Sequence, residues 1–240
     1  MNKKEIKLGK NKFLVIDLTE PLKEDTEVYP GDPKPQKEVF SDISQTGYQH
    51  HIYKVGDHNF HPHGDAPKHQ NLEMQDKGFE VFGLDYSFNS ACLIDLSETP
   101  EAKEFDGIKY LVEVKKEHLE SFTKQISEIG AVLIRTGYDK WLEANKPHIP
   151  ENLPYLNKEV AEFIASFNNL KVIGIDSLTV DPVGGHNSHQ ILKNLLIVES
   201  LVHLYEIPKE AKNNFDLQTS PVRIIGATGG PIIAHAFISL

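Results

Sequence analysis

Cysteine is all but missing from this chain. Cys92 is the single one in 240 residues, so no disulfide framework exists, and its place in the apolar run Ala91-Cys92-Leu93-Ile94 reads as core filler rather than nucleophile. Long apolar runs are missing too. Nothing approaches the roughly 20 residues that cross a bilayer, and the opening MNKKEIKLGKNKF has lysines but no apolar segment or small-residue cleavage site, so a cytoplasmic location without a membrane partner is expected. Basic residues are in deficit: 25 against 35 acidic ones leave a formal charge of −10, which disfavours the basic stripe that nucleic acid requires. The chain contains no repeat, low-complexity tract or linker, and 39% apolar residues suffice for one core, so residues 1–240 read as a single domain.

The apolar residues fall into short runs. Phe13–Thr19, Ala91–Ser97, Gly130–Gly137 and Leu170–Ser177 each place four or five core-type residues ahead of polar turn residues, and VRIIGATGG (residues 222–230) makes a fifth expected strand. Between the first two, Pro21, Pro30, Gly31, Pro33 and Pro35 exclude regular structure. Leu156–Asn169 carries Val160, Phe163, Ile164 and Phe167 at helical spacing, with Asn157 as N-cap. Further helices are expected over residues 115–126 and over QILKN (residues 190–194), ahead of LLIVESL. Strand and helix alternate, which predicts an α/β domain with a mixed sheet and packed helices.

What the chain has in excess is histidine. Six of its 12 lie between His50 and His69, four of them in HNFHPHGDAPKHQ (residues 58–70). Imidazole and carboxylate at such short spacing are what zinc, manganese or iron accept. Gly64 allows close approach of backbone, and Pro67 stiffens the segment, so Asp65 and His69 are expected on a rigid, non-helical loop. For one histidine an exposed polar loop would be the better reading; the cluster points to a site. Elsewhere, Arg135 either grips a carboxylate or ties a turn, Asp176 caps a strand end, and Asp181 leads into His186 and His189.

These stretches resemble the cyclase family of metal-dependent hydrolases, which includes kynurenine formamidase and isatin hydrolase. The resemblance rests on IDLTEPLKEDTEVYPGDP, NFHPHGDAPKH, LIRTGYDKW, GIDSLTVDP, His189 with IVESL, and VRIIGATGGPIIAHAF, in the family's order from Ile16 to Phe237. It implies a swivelling β/β/α fold, a homodimer or homotetramer, and one or two divalent ions, zinc or manganese. It further implies metal-assisted hydrolysis of a small, often aromatic, amide-type substrate.

By the same resemblance His63, Asp65, His189 and Glu199 are metal ligands and His69 is the general acid/base. Asn59 occupies the family's first ligand position, where an amide is a weaker ligand than imidazole. His61 and His58 are the neighbours able to substitute. His61 is preferred because alternate residues of an extended segment share a side. Nine residues separate His189 from Glu199 where about eleven are expected, implying a shortened helix or a pairing that uses His186. Phe60, Tyr29, Phe79, Phe82 and Trp141 could wall a substrate pocket. The competing reading is a non-catalytic member that binds a small metabolite at a degenerate metal site.

Overall fold

The computed structural model describes residues 2–240. Nine strands form the main sheet: β1 (Lys3–Leu8), β2 (Asn11–Asp17), β3 (His63–Asp65), β4 (Phe88–Asp95), β5 (Ala131–Arg135), β6 (Val172–Ile175), β7 (Leu196–Glu199), β8 (Phe215–Pro221) and β9 (Gly229–Ser239). Their order is β1-β2-β9-β8-β4-β5-β6-β7-β3, and β3 also pairs with β9, so β9-β8-β4-β5-β6-β7-β3 closes into a seven-stranded barrel. The expected α/β domain with a mixed sheet is found. Strands β4 to β7 run parallel to one another; β3, β8 and β9 complete the ring antiparallel.

The four parallel strands read as continuous apolar runs because both faces are covered. Ala91, Leu93, Ala131, Leu133, Val172, Leu196 and Val198 pack into one cluster, which faces inward. Their sequence neighbours Cys92, Ile94, Val132, Ile134, Ile173, Ile175 and Ile197 pack into another, against Val160, Ala161 and Ile164 of the Lys158–Ala165 helix. The Asn157 side chain caps that helix, accepting from the Val160 amide at 3.0 Å. Cys92 is fully buried, and burial pushes its thiol up to about 12, as suits a packing residue.

Three expectations fail. Residues 115–126 form two 3₁₀ turns, Lys116–His118 and Glu120–Phe122, and one short helix, Thr123–Ile126. Leu119 and Phe122, three residues apart, both turn to the same cluster, which the tighter 3₁₀ period serves. The helix expected over residues 190–194 lies earlier, at Asn187–Ile191, because the Asp181 carboxylate accepts the Ser188 and His189 amides (2.7 and 3.1 Å) and starts it there. Residues 222–228 are a loop, not the start of a strand. Gly226 sits at φ +76°, Ile225 is 88% exposed, and the strand begins at Gly229.

Gly174 sits at a tight point of the interior. A Cβ there would lie 2.5 Å from Leu133 Cδ2 and 2.6 Å from Leu201 Cδ1. Gly174→Ala is expected to lower unfolding stability by about 1–3 kcal/mol through overpacking, read as a shift in the denaturation midpoint; an unchanged midpoint would show that the interior has slack.

Candidate metal centre

The site is built on β3. Successive side chains of a strand alternate, so His63 and Asp65 share one side while Gly64 faces the other. There Leu196, Phe79 and Ile232 crowd in: a Cβ on Gly64 would lie 3.0–3.1 Å from all three. Gly64 thus makes room for the core and not for an ion, and Asp65 stands on a strand and not on the stiff loop that Pro67 suggested. Glu199 ends β7 directly opposite His63, so pairing of the two strands brings the carboxylate to the imidazole.

Three histidines present Nε2 to these carboxylates, each with Nδ1 engaged on the far side. His63 Nδ1 donates to the Phe60 carbonyl (3.0 Å), leaving Nε2 3.2 Å from Glu199 and 3.8 Å from Asp65. His189 Nδ1 donates to Asp181 (2.6 Å), with Nε2 2.9 Å from Asp65 and 3.4 Å from Glu199. His58 Nδ1 lies 3.0 Å from Asp57 Oδ1, an ion-pair contact, with Nε2 3.3 Å from Asp65 Oδ1. Glu199 also accepts from the Val180 amide (2.6 Å). A carboxylate or carbonyl behind each imidazole is the outer shell that fixes the tautomer of a metal-ligating histidine.

The donor set fits a divalent cation. His58 Nε2 and Asp65 Oδ1 are buried, face one another and have no hydrogen-bond partner, which is costly unless a cation lies between them. Two overlapping groups share Asp65: His58, Asp65 and His69, and His63, Asp65 and Glu199, each with ligand atoms within 4.8 Å of one another.

Charge follows this geometry. Burial alone would neutralise Asp65, but the hydrogen bond from His189 and the nearby charges of His189 and His58 hold it well below the ordinary carboxylate range. Burial likewise opposes charge on His58 and His189, and is outweighed by Asp57 and Asp65 for the first and by Asp181, Asp65 and Glu199 for the second; both are raised. His69 lacks such partners. Burial dominates and pushes it down to about 4, so its imidazole is neutral near pH 7, not poised near its ordinary value. Its ring lies 4.1 Å from that of His58, and its Nε2 faces the Gln70 amide at 3.3 Å.

A cavity of about 340 Å³ opens above these groups, lined by Tyr29, Asp32, His58, His61, His63, His69, Gln70, Leu178, His186, His189 and Glu199 among others. Of the aromatics expected to wall it, Tyr29 does. Phe60 contributes its carbonyl to His63 instead. Trp141 is buried in a stack with Tyr138 (6.0 Å, 11°), and Phe79 and Phe82 lie in the core. His61 lines the cavity but joins neither ligand group, because the extended pleat begins only at His63 and does not carry the alternation back to residue 61. Asn59 turns away, donating to the Pro33 carbonyl at 2.8 Å. His186 is exposed and bonds to Gln70 at 2.7 Å, so the short Asn187–Ile191 helix presents His189 alone.

Arg135 ties a turn, bonding Asp139, Asp95 and Ser97, and Asp176 collects the amides of Thr136, Gly137 and Asp139. Asp57 was not singled out in the sequence; a carboxylate directly before a histidine was the available signal.

Against known proteins, the model of a family described as putative cyclase matches residues 16–182. Kynurenine formamidase of a Bacillus cereus strain is 26% identical over 225 residues, covering 91% of this chain and 95% of that one. Isatin hydrolase A of Labrenzia aggregata, solved with benzyl benzoate, superposes with a TM-score of 0.75 at 20% identity, covering 94% of both chains. A potential metal-dependent hydrolase with cyclase activity superposes at 0.69 and 20% identity, covering 93% of this chain and 96% of the other.

Elsewhere, His148 meets the Tyr138 hydroxyl at 2.8 Å, and burial pushes its imidazole down to about 4. A histidine with a depressed folded value binds fewer protons when folded, so the stability it contributes is complete above pH about 6.5 and is lost as pH falls toward 4. After discounting for partial exposure, His148→Gln is expected to remove about 1–2 kcal/mol of the stability lost between those limits, read from denaturation midpoints at pH 7 and 4.5. An acid dependence identical to the wild type would place His148 outside it.

Proposed function

Because this chain belongs to the putative cyclase family, we propose that it is a metal-dependent hydrolase of a small amide-type bond, acting on N-formyl aromatic amines or on cyclic amides. The observation that carries this reading is the convergence of imidazole Nε2 atoms on Asp65 and Glu199 at the floor of a small-molecule-sized cavity. His63, Asp65, His189 and Glu199 would hold one or two divalent ions, zinc or manganese. Such an ion, when bound, would supply Lewis acidity toward a carbonyl and toward water.

The chain's own groups do the rest. His69, neutral and at the cavity wall, takes the proton from the attacking water and returns it to the leaving nitrogen. Asp181 holds His189 in one tautomer, and the Phe60 carbonyl does the same for His63. Tyr29 and Leu178 offer apolar surface to an aromatic substrate. Kynurenine formamidase as a relative supports the formamide reading, and the likeness to isatin hydrolase A in fold leaves the cyclic amide as the second substrate class.

The zinc- or manganese-loaded protein is expected to hydrolyse an N-formyl aromatic amide or an isatin-type cyclic amide. His69→Ala should lower kcat by about 10²–10⁴-fold while retaining the metal. Bound metal without turnover of either substrate class, or of a lactone, would favour the non-catalytic binder. Failure to bind any divalent metal would end the hydrolase reading.

Self-association belongs to the same reading. The hairpin of Gln36–Ser41 and His50–Lys54 leaves Val39, Phe40, Ile43, Tyr48 and Tyr53 between 53 and 61% exposed, a grouping of apolar side chains of the kind that marks an interaction surface. Sedimentation at micromolar concentration is expected to give a dimer or tetramer; a monomer would remove this part.

A further inference from the structure

The pairing of Asp57 with His58 is a feature that the ligand assignments His63, Asp65, His189 and Glu199 leave unused. His58 Nε2 lies 3.3 Å from Asp65 Oδ1 with no hydrogen-bond partner, although both atoms are buried. An imidazole nitrogen and a carboxylate oxygen face to face, neither satisfied by the other, is the arrangement expected of two groups that share a cation.

The imidazole is held there from two sides. Asp57 Oδ1 pairs with Nδ1 at 3.0 Å, and its other oxygen is gripped by the Thr228 amide (3.1 Å), the Thr228 hydroxyl (2.6 Å) and the Gly229 amide (3.2 Å). Gly229 is the seat for the ring. A Cβ there would lie 2.6 Å from His58 Nε2 and 2.8 Å from Cδ2, so the ring fits only because residue 229 has no side chain. Asn59 is meanwhile engaged at the Pro33 carbonyl.

We propose that His58 supplies the metal ligand that position 59 does not, with Asp57 as its positioning residue and the Thr228-Gly229 turn as its mount. The inference rests on the metal-dependent reading above and adds to it a specific imidazole and its support. It makes the start of β9 part of the metal centre: the backbone that anchors Asp57 also pairs Gly229 with Asp65. Ligand and carboxylate are thereby fixed to the same two-residue segment.

The test is equilibrium dialysis of the full chain against zinc or cobalt, with the visible spectrum of the cobalt-loaded protein as a second readout. His58→Ala and His58→Gln should each weaken metal binding by about 10–100-fold and change the cobalt bands, while His61→Gln leaves affinity and spectrum as in the wild type. Asp57→Asn should weaken binding about 10-fold and shift the bands, with partial recovery in Asp57→Glu, a pattern that a purely structural anchor would not give. Circular dichroism establishes that each variant is folded; a misfolded His58→Ala leaves His58→Gln to decide. His63→Ala is the control for the centre itself. If it abolishes binding while the folded His58 variants bind and absorb as the wild type does, His58 is not a ligand and the metal-dependent reading stands. If the wild type binds neither metal, both fall.

Discussion

Strand β3 is three residues long, and both the barrel and the candidate metal centre depend on it. It pairs on one side with β7 and on the other with β9, and without it the ring would be an open sheet. Its side-chain alternation sends Gly64 into the packed interior and His63 and Asp65 to the site. A slip of one residue would exchange those faces, placing an imidazole and a carboxylate against Phe79, Leu196 and Ile232 and a glycine at the site. The register that closes the fold is therefore the register that assembles the chemistry.

That arrangement sets buried carboxylates beside buried histidines, which no fold would select for stability alone. Asp65, Asp181 and Glu199 are 1–3% exposed at their side chains, and each is matched by an imidazole or a backbone amide. His69 is the exception, surrounded by the same groups but bonded to none of the carboxylates, and its neutrality follows. One cavity thus holds histidines raised by carboxylate partners and one lowered by burial, separated by partner and not by depth.

Much of this was legible in the chain. The apolar runs Ala91–Ser97, Gly130–Gly137 and Leu170–Ser177 announced strands of a mixed α/β domain, and Asn157 announced its helix. The motif ending in His63, Asp65 and His69 announced a site. The rest was hidden for particular reasons. Glycine at 64 has the same letter whether it admits an ion or a leucine. Residues 222–228 are as apolar as a strand but lie exposed in a loop. The different placements of His58 and His61 could not be read from spacing, because they turn on where the pleat begins and on a carboxylate and a glycine, Asp57 and Gly229, that are 172 positions apart. Long-range anchors of this kind leave no local signature.

Asn59 now carries a different burden. Its amide pegs Pro33, in the proline-rich segment that also contributes Tyr29 and Asp32 to the cavity, and Asn145 ties the same segment through the Glu27 amide and the Asp25 carbonyl. The wall over the centre is hung from a few side-chain hooks and shares no strand with the barrel. Substitutions in residues 21–35 would reshape what the cavity admits while leaving the imidazole and carboxylate cluster on its strands undisturbed, so the shape of the opening and the chemistry of its floor are free to change separately.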